Sequence, residues 1–190
     1  MQRLKNIKAF SLLELIVVIT LIGIMLLVTY APYSYYQTKA KVRMTIKDVA
    51  QSIYEARNMA INGYNEGSGS ISVGLFFDVD TTPNTITFFS FPYSYTGTQI
   101  IPQDNGIIKI IKKEEFPSGV QVKDIGGYKK GLLFFQAISG DGSYFYWENT
   151  PEKKEFEEDY IAIKIAYGDS SSNNLSGIVK YYTPTNIVDY

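Results

Sequence analysis

The sequence predicts an α+β fold in which one long N-terminal helix, apolar at first and amphipathic later, packs on an antiparallel β-sheet head. Three observations carry that expectation. From Phe10 to Tyr30 the chain is apolar apart from the carboxylate of Glu14 and a few small polar residues. Val42, Ile46, Val49, Ile53, Ala56 and Ala60 then recur three or four residues apart, the spacing of one helix face. Beyond the stretch Gly67-Ser68-Gly69-Ser70 the sequence becomes short β-rich runs separated by turn residues.

Phe10 to Tyr30 is about 21 residues, roughly 31 Å at the helical rise and close to the thickness of a hydrocarbon core. Arg3, Lys5 and Lys8 precede it and the first acidic residue is Glu14, an asymmetry that holds the N-terminus in the cytoplasm. A secretory signal has a shorter apolar region and a small-x-small cleavage site. The one passable site here, Thr29-Tyr30-Ala31, is followed by Pro32, which disfavours cleavage. A plain membrane anchor accounts for the length and the basic flank, but not for Glu14. A charged residue at mid-bilayer costs about 2.5 to 3.5 kcal/mol on insertion scales, less near an end, whereas a helix N-terminus returns only about 0.3 to 1 kcal/mol. Such a carboxylate calls for a partner.

Pro32 removes a helical hydrogen bond and is expected to end or kink the span. The amphipathic stretch follows, with Lys39, Lys41, Arg43, Lys47, Asp48, Glu55 and Arg57 on its other faces and Asn62-Gly63 as its stop. The expected strands are Ile71 to Phe77, Thr85 to Phe91, Ile107 to Lys112, Val120 to Ile125, Leu132 to Ile138, Tyr144 to Trp147, Tyr160 to Ala166 and Ile178 to Tyr182. In the seventh run the isoleucines alternate, which buries one face and turns Lys164 outward. Ser139-Gly140-Asp141-Gly142-Ser143 reads as a hairpin connection. The boundaries are thus a basic leader over 1–9, a membrane helix over 10–31, an amphipathic helix over 32–62 and a β-rich head over 63–190.

Composition excludes several function classes. The 190 residues suffice for one core plus an appendage. With no cysteine and no histidine the chain has no thiol nucleophile, no imidazole base and none of the usual zinc ligands. No catalytic constellation and no cofactor or metal site emerges, so a non-enzymatic role is expected. A net charge of −1 gives no bulk case for nucleic-acid binding, and removing the three leader cations takes it to −4. Sixteen tyrosines and 11 phenylalanines suit a tightly packed β-domain.

The stretch Lys8-Ala9-Phe10-Ser11-Leu12-Leu13-Glu14-Leu15-Ile16-Val17-Val18-Ile19 resembles the class III leader of type IV pilins and type II secretion pseudopilins. That resemblance implies a pilin-like fold, cleavage by a prepilin peptidase between Ala9 and Phe10, and N-methylation of Phe10. Ala9 departs from the usual Gly of the family but remains small. It also implies partners: other pilins or pseudopilins in a helical filament, and an inner-membrane assembly platform with its ATPase. Glu14 becomes an assembly residue, since its carboxylate cannot easily fold back on the new Phe10 amine of its own helix but can meet that of a staggered neighbour. The implied location is the cytoplasmic membrane, single-pass with the head outside, and then a periplasmic or extracellular filament.

Shorter landmarks resemble the H-type (GspH/FimT-like) minor pseudopilins: Ala50 to Ile61, Phe116 to Val120, Leu133-Phe134-Phe135 before Gly140-Asp141-Gly142, and Ser176 to Val179. Some pseudopilins bind calcium, and Asp78-Val79-Asp80 and Asp141 offer oxygens, but neither stretch is a complete coordinating loop and a turn explains both better. The run Glu152 to Asp159 reads as a solvated loop. The alternative function is a DNA- or surface-binding minor pilin at a filament tip. Its candidate groups are the doublets Lys112-Lys113, Lys129-Lys130 and Lys153-Lys154, Tyr128 as a stacking ring, and Tyr93, Tyr95, Tyr181, Tyr182 and Tyr190 as surface contacts, several of which core packing should claim.

Overall fold

A computed structural model describes residues 11–63, 71–92, 108–147, 160–168, 175–183 and 185–190. The chain divides into two compact units, Met1–Thr38 and Lys39–Tyr190. One helix, α1 (Leu12–Asn62), contributes residues to both. Within the first unit it is built from residues with good helix propensity or tolerated in apolar helices, and it passes through Pro32 without terminating there. Of the two effects expected of Pro32, an end to the helix is therefore not what the structure shows.

In the second unit α1 packs against antiparallel sheets. Its expected stripe is the docked face: Val42, Val49, Ile53, Ala56 and Ala60 are buried and Ile46 is packed against the same core. The face is wider than apolar spacing indicates, because Thr45 and Ser52 are buried too. Each satisfies its hydroxyl by donating to the carbonyl one turn back, Lys41 at 3.0 Å and Asp48 at 2.8 Å. The stop is at the expected place. Gly63 has φ +75, the left-handed conformation that closes a helix and that side chains rarely adopt.

Nine strands follow among the described residues: β1 (Ile71–Asp78), β2 (Thr82–Pro92), β3 (Lys109–Glu115), β4 (Val120–Ile125), β5 (Lys130–Phe135), β6 (Gly142–Trp147), β7 (Tyr160–Tyr167), β8 (Ser176–Tyr182) and β9 (Ile187–Asp189). They form two sheets, ordered β3-β2-β1-β5-β6 and β4-β7-β8-β9, with every pairing antiparallel. All eight expected strands exist. Their division into two sheets was not expected, and it arises because β4 leaves the first sheet to pair with β7.

Several boundaries also differ. β3 runs to Glu115, since Lys113, Glu114 and Glu115 pair with Thr87, Ile86 and Thr85 of β2, and an edge strand tolerates charge on its open side. β5 stops at Phe135, and Ile138, with φ +72, instead donates its N–H to the Ala60 carbonyl near the end of α1. The hairpin connection therefore lies over 136–141, closed by Gln136 N–H to the Asp141 carbonyl at 3.0 Å, and Gly142 and Ser143 belong to β6. β9 is new; at three residues it is too short to show a pattern.

One core joins α1 to both sheets, drawing Leu75, Phe77 and Phe88 from the first and Val122, Ile163 and Val179 from the second. The alternation in β7 behaves as expected, with Ile161, Ile163 and Ile165 buried. A second cluster, Phe89, Phe91, Ile108, Leu132, Phe134 and Phe145, occupies the opposite face of the first sheet. That sheet is therefore buried on both faces, which absorbs much of the phenylalanine content.

Candidate functional site

The first unit presents the site with the clearest chemistry. From Leu12 to Val28 the large apolar side chains of α1 are all exposed, from 42% at Val18 to 78% at Leu27. This segment is long and apolar enough to cross a membrane. Thr20 and Thr29 donate their hydroxyls to the carbonyls of Ile16 at 2.7 Å and Met25 at 3.0 Å, so neither asks anything of a lipid surrounding. Glu14 stands in the first turn of α1, exposed, where a carboxylate is favoured by the unpaired N–H groups of the helix start. Between Ser11 and Thr38 it is the single charged residue, so no cation there can neutralise it. Ala9 and Phe10 lie outside the described residues.

Residues 4–30 match the family model described as the prokaryotic N-terminal methylation motif. The N-terminus is prepilin-like. No curated protein and no solved structure matches the chain. The motif, the exposed apolar helix and the antiparallel sheets together support a type IV pilin-like protein, and the apolar helix fits a membrane-anchored N-terminus.

Among the described residues of the head, several candidate groups are engaged by the fold itself. Lys112 pairs with Glu55 of α1 and Glu114 of β3, both at 2.7 Å, and its ammonium lies 4.2 Å from the centroid of Phe88. Burial lowers its pKa, but the two carboxylates outweigh burial and raise it above the ordinary value. The Ser52 hydroxyl shares its one proton between the Asp48 carbonyl and the other oxygen of Glu114, which brings helix and sheet together at one carboxylate. Tyr54 accepts from Val188 N–H at 3.2 Å, and Arg57 donates to the Gly140 carbonyl at 3.3 Å. A Cβ on Gly140, whose φ is +66, would meet Ile61 and Arg57. Sequence reasoning missed this network because its members lie far apart in the chain; a glycine turn opposite an amphipathic helix is its one local trace.

Lys129 and Lys130 pair with Asp80 at 3.2 Å and Asp78 at 3.4 Å. Tyr128 stacks on Tyr146, with ring centroids 4.9 Å apart and 24° between planes, so one of its faces is taken. These placements tie Lys112, Lys130 and the proposed stacking ring into the fold, whereas Lys129 pairs with Asp80 at the exposed surface. Tyr181 is a correction: it is fully buried and donates to Asn186 Oδ1, and burial pushes its phenol well above the ordinary value. Tyr182 is half-buried and Tyr190 exposed. Tyr93, Tyr95, Lys153-Lys154 and the run Glu152 to Asp159 lie outside the described residues.

Asp78 acts as the expected turn residue. Its carboxylate accepts from Asp80 N–H and Thr81 N–H, both at 3.0 Å, and from the Thr81 hydroxyl at 2.7 Å. Burial raises its pKa, but Thr81, Lys130 and Asp80 N–H together hold it below the ordinary 3.8. With the folded value depressed, its stabilisation is complete above the unfolded pKa and is lost as pH falls through the folded one. Replacing Asp78 by alanine in the full chain in detergent is expected to cost about 1 to 3 kcal/mol at neutral pH, from the orphaned donors and Lys130. Urea unfolding should show the gap to wild type narrowing below about pH 3.9, and a pH-independent gap would remove the charge from this account.

Proposed function

We propose that the chain is a structural subunit, a minor pilin or pseudopilin, of a type IV pilus or a type II secretion pseudopilus. The observation that carries the reading is the methylation motif at residues 4–30, set on a helix whose apolar surface is open from Leu12 to Val28. A prepilin peptidase cuts between Ala9 and Phe10, Phe10 becomes the methylated terminus, and Glu14 becomes the fifth residue of the mature chain. The subunit is anchored in the cytoplasmic membrane with its head outside. An assembly platform and its ATPase then move the helix into a bundle of like helices. The apolar surface is covered in lipid and in the bundle alike, so hydrophobic burial alone does not favour one over the other. What distinguishes them is packing and the pairing of Glu14 with the Phe10 amine of a neighbour. The subunit performs no catalysis and uses no cofactor.

Mass spectrometry of the mature protein tests the reading. A terminus beginning at N-methylated Phe10 is expected, and an intact Met1 in cells that express a prepilin peptidase refutes it.

A further inference from the structure

We infer that Tyr30, Tyr33 and Tyr36 form a girdle that seats the outer end of the membrane helix among phospholipid headgroups. The inference rests on the membrane-anchored reading above and names the surface that sets the depth of that anchor.

The three residues follow the apolar run at intervals of three, so on α1 they share one side. All three rings are exposed, by 75%, 63% and 67% respectively. At the helical rise they stand roughly 27, 32 and 36 Å from the start of α1 at Leu12, where a hydrocarbon core of about 30 Å gives way to the headgroup layer. Tyrosine suits that layer, since its ring prefers the apolar side and its hydroxyl the wet one. Charge points the same way. No acidic residue occurs between Glu14 and Asp48, while Lys39, Lys41, Arg43 and Lys47 follow the tyrosines in sequence, so the segment next to the rings carries no charge that lipid phosphates would repel. A neighbouring copy is the competing occupant. It accounts for exposed rings but not for their onset at the point where the apolar run reaches the thickness of a bilayer.

The full chain carries one tryptophan and no cysteine, which permits a direct test. In a Trp147→Phe background, Tyr33→Trp and Leu21→Trp reporters are placed separately and the full-length proteins reconstituted into phosphatidylethanolamine and phosphatidylglycerol vesicles. Lipids brominated near the glycerol end should quench the Tyr33→Trp emission more than lipids brominated near the methyl end. The Leu21→Trp reporter should show the reverse order and a bluer emission. Quenching of Leu21→Trp with none of Tyr33→Trp overturns the girdle and leaves the span standing. Absence of quenching at both positions overturns the span, and the girdle with it. A Tyr33→Trp emission that shifts with protein-to-lipid ratio but ignores brominated lipid assigns the face to a second copy and also overturns the proposal.

Discussion

Glu14→Ala is expected to remain in the membrane at wild-type level while its recovery in sheared filaments falls about tenfold to a hundredfold. The fall follows from losing a charge-assisted interaction of about 1.5 to 3 kcal/mol at each helix contact. Removing the carboxylate acts oppositely on the two states. In lipid it relieves a desolvation cost on the order of a few kcal/mol, so the anchored subunit is no less stable. In the bundle it leaves the Phe10 amine of a neighbour without its counter-charge, a penalty known to be large for half-broken buried pairs. Glu14→Gln keeps the size of the side chain and loses its charge, and is expected to behave like alanine. Wild-type recovery of either variant in filaments, with membrane levels unchanged, would sink the pairing mechanism and leave Glu14 with no assembly role.

The largest effect on stability is expected at Ile53. Its side chain is 1% exposed on the docked face of α1, between Val49 and Ala56 and against both sheets. Truncation to alanine removes buried methyl and methylene groups and opens a cavity that neighbouring strands cannot easily fill, at a cost of about 2 to 5 kcal/mol. The polar ties on the same stretch, Glu55 to Lys112, Tyr54 to Val188 and Arg57 to Gly140, remain intact. The loss is therefore one of packing. Met44→Ala, at a position 63% exposed on the same helix, should stay within about 0.5 kcal/mol. Urea titration of the full chain in a mild detergent, followed by Trp147 fluorescence, measures both. A cost at Ile53 below about 1 kcal/mol would mean that the polar ties dominate the docking.

The functional end of this protein is written locally. A basic flank, a carboxylate and an apolar run are recognised by length, charge order and residue type, and residues 4–30 match the methylation motif. The helix was legible for a related reason, since Val42 to Ala60 repeats with the period of one helix face and Gly63 supplies the stop. Eight strands were legible through β-branched and aromatic runs between turn residues. Charge at an edge was not legible: Lys113, Glu114 and Glu115 lie beyond the expected strand end at Lys112 but extend β3, because an edge strand has an open side for them. Ile138 misled in the other direction, an apolar residue that follows β5 without pairing and meets the helix end instead.

The sequence alone determined the prepilin-like motif, the apolar helix that carries Glu14, the docked face of that helix and the existence of most strands. These follow from periods of two and 3.6 residues, and from charge order, which short-range chemistry enforces. Only the tertiary structure decided that the strands form two sheets and that the first is buried on both faces. It also decided that Tyr181 is core, that Lys112 and Lys130 pair with carboxylates where they are partly buried, and that Lys129 meets Asp80 at the exposed surface. Those outcomes depend on which distant segments pair, and no local period records the partner of a strand or the counter-ion of a lysine.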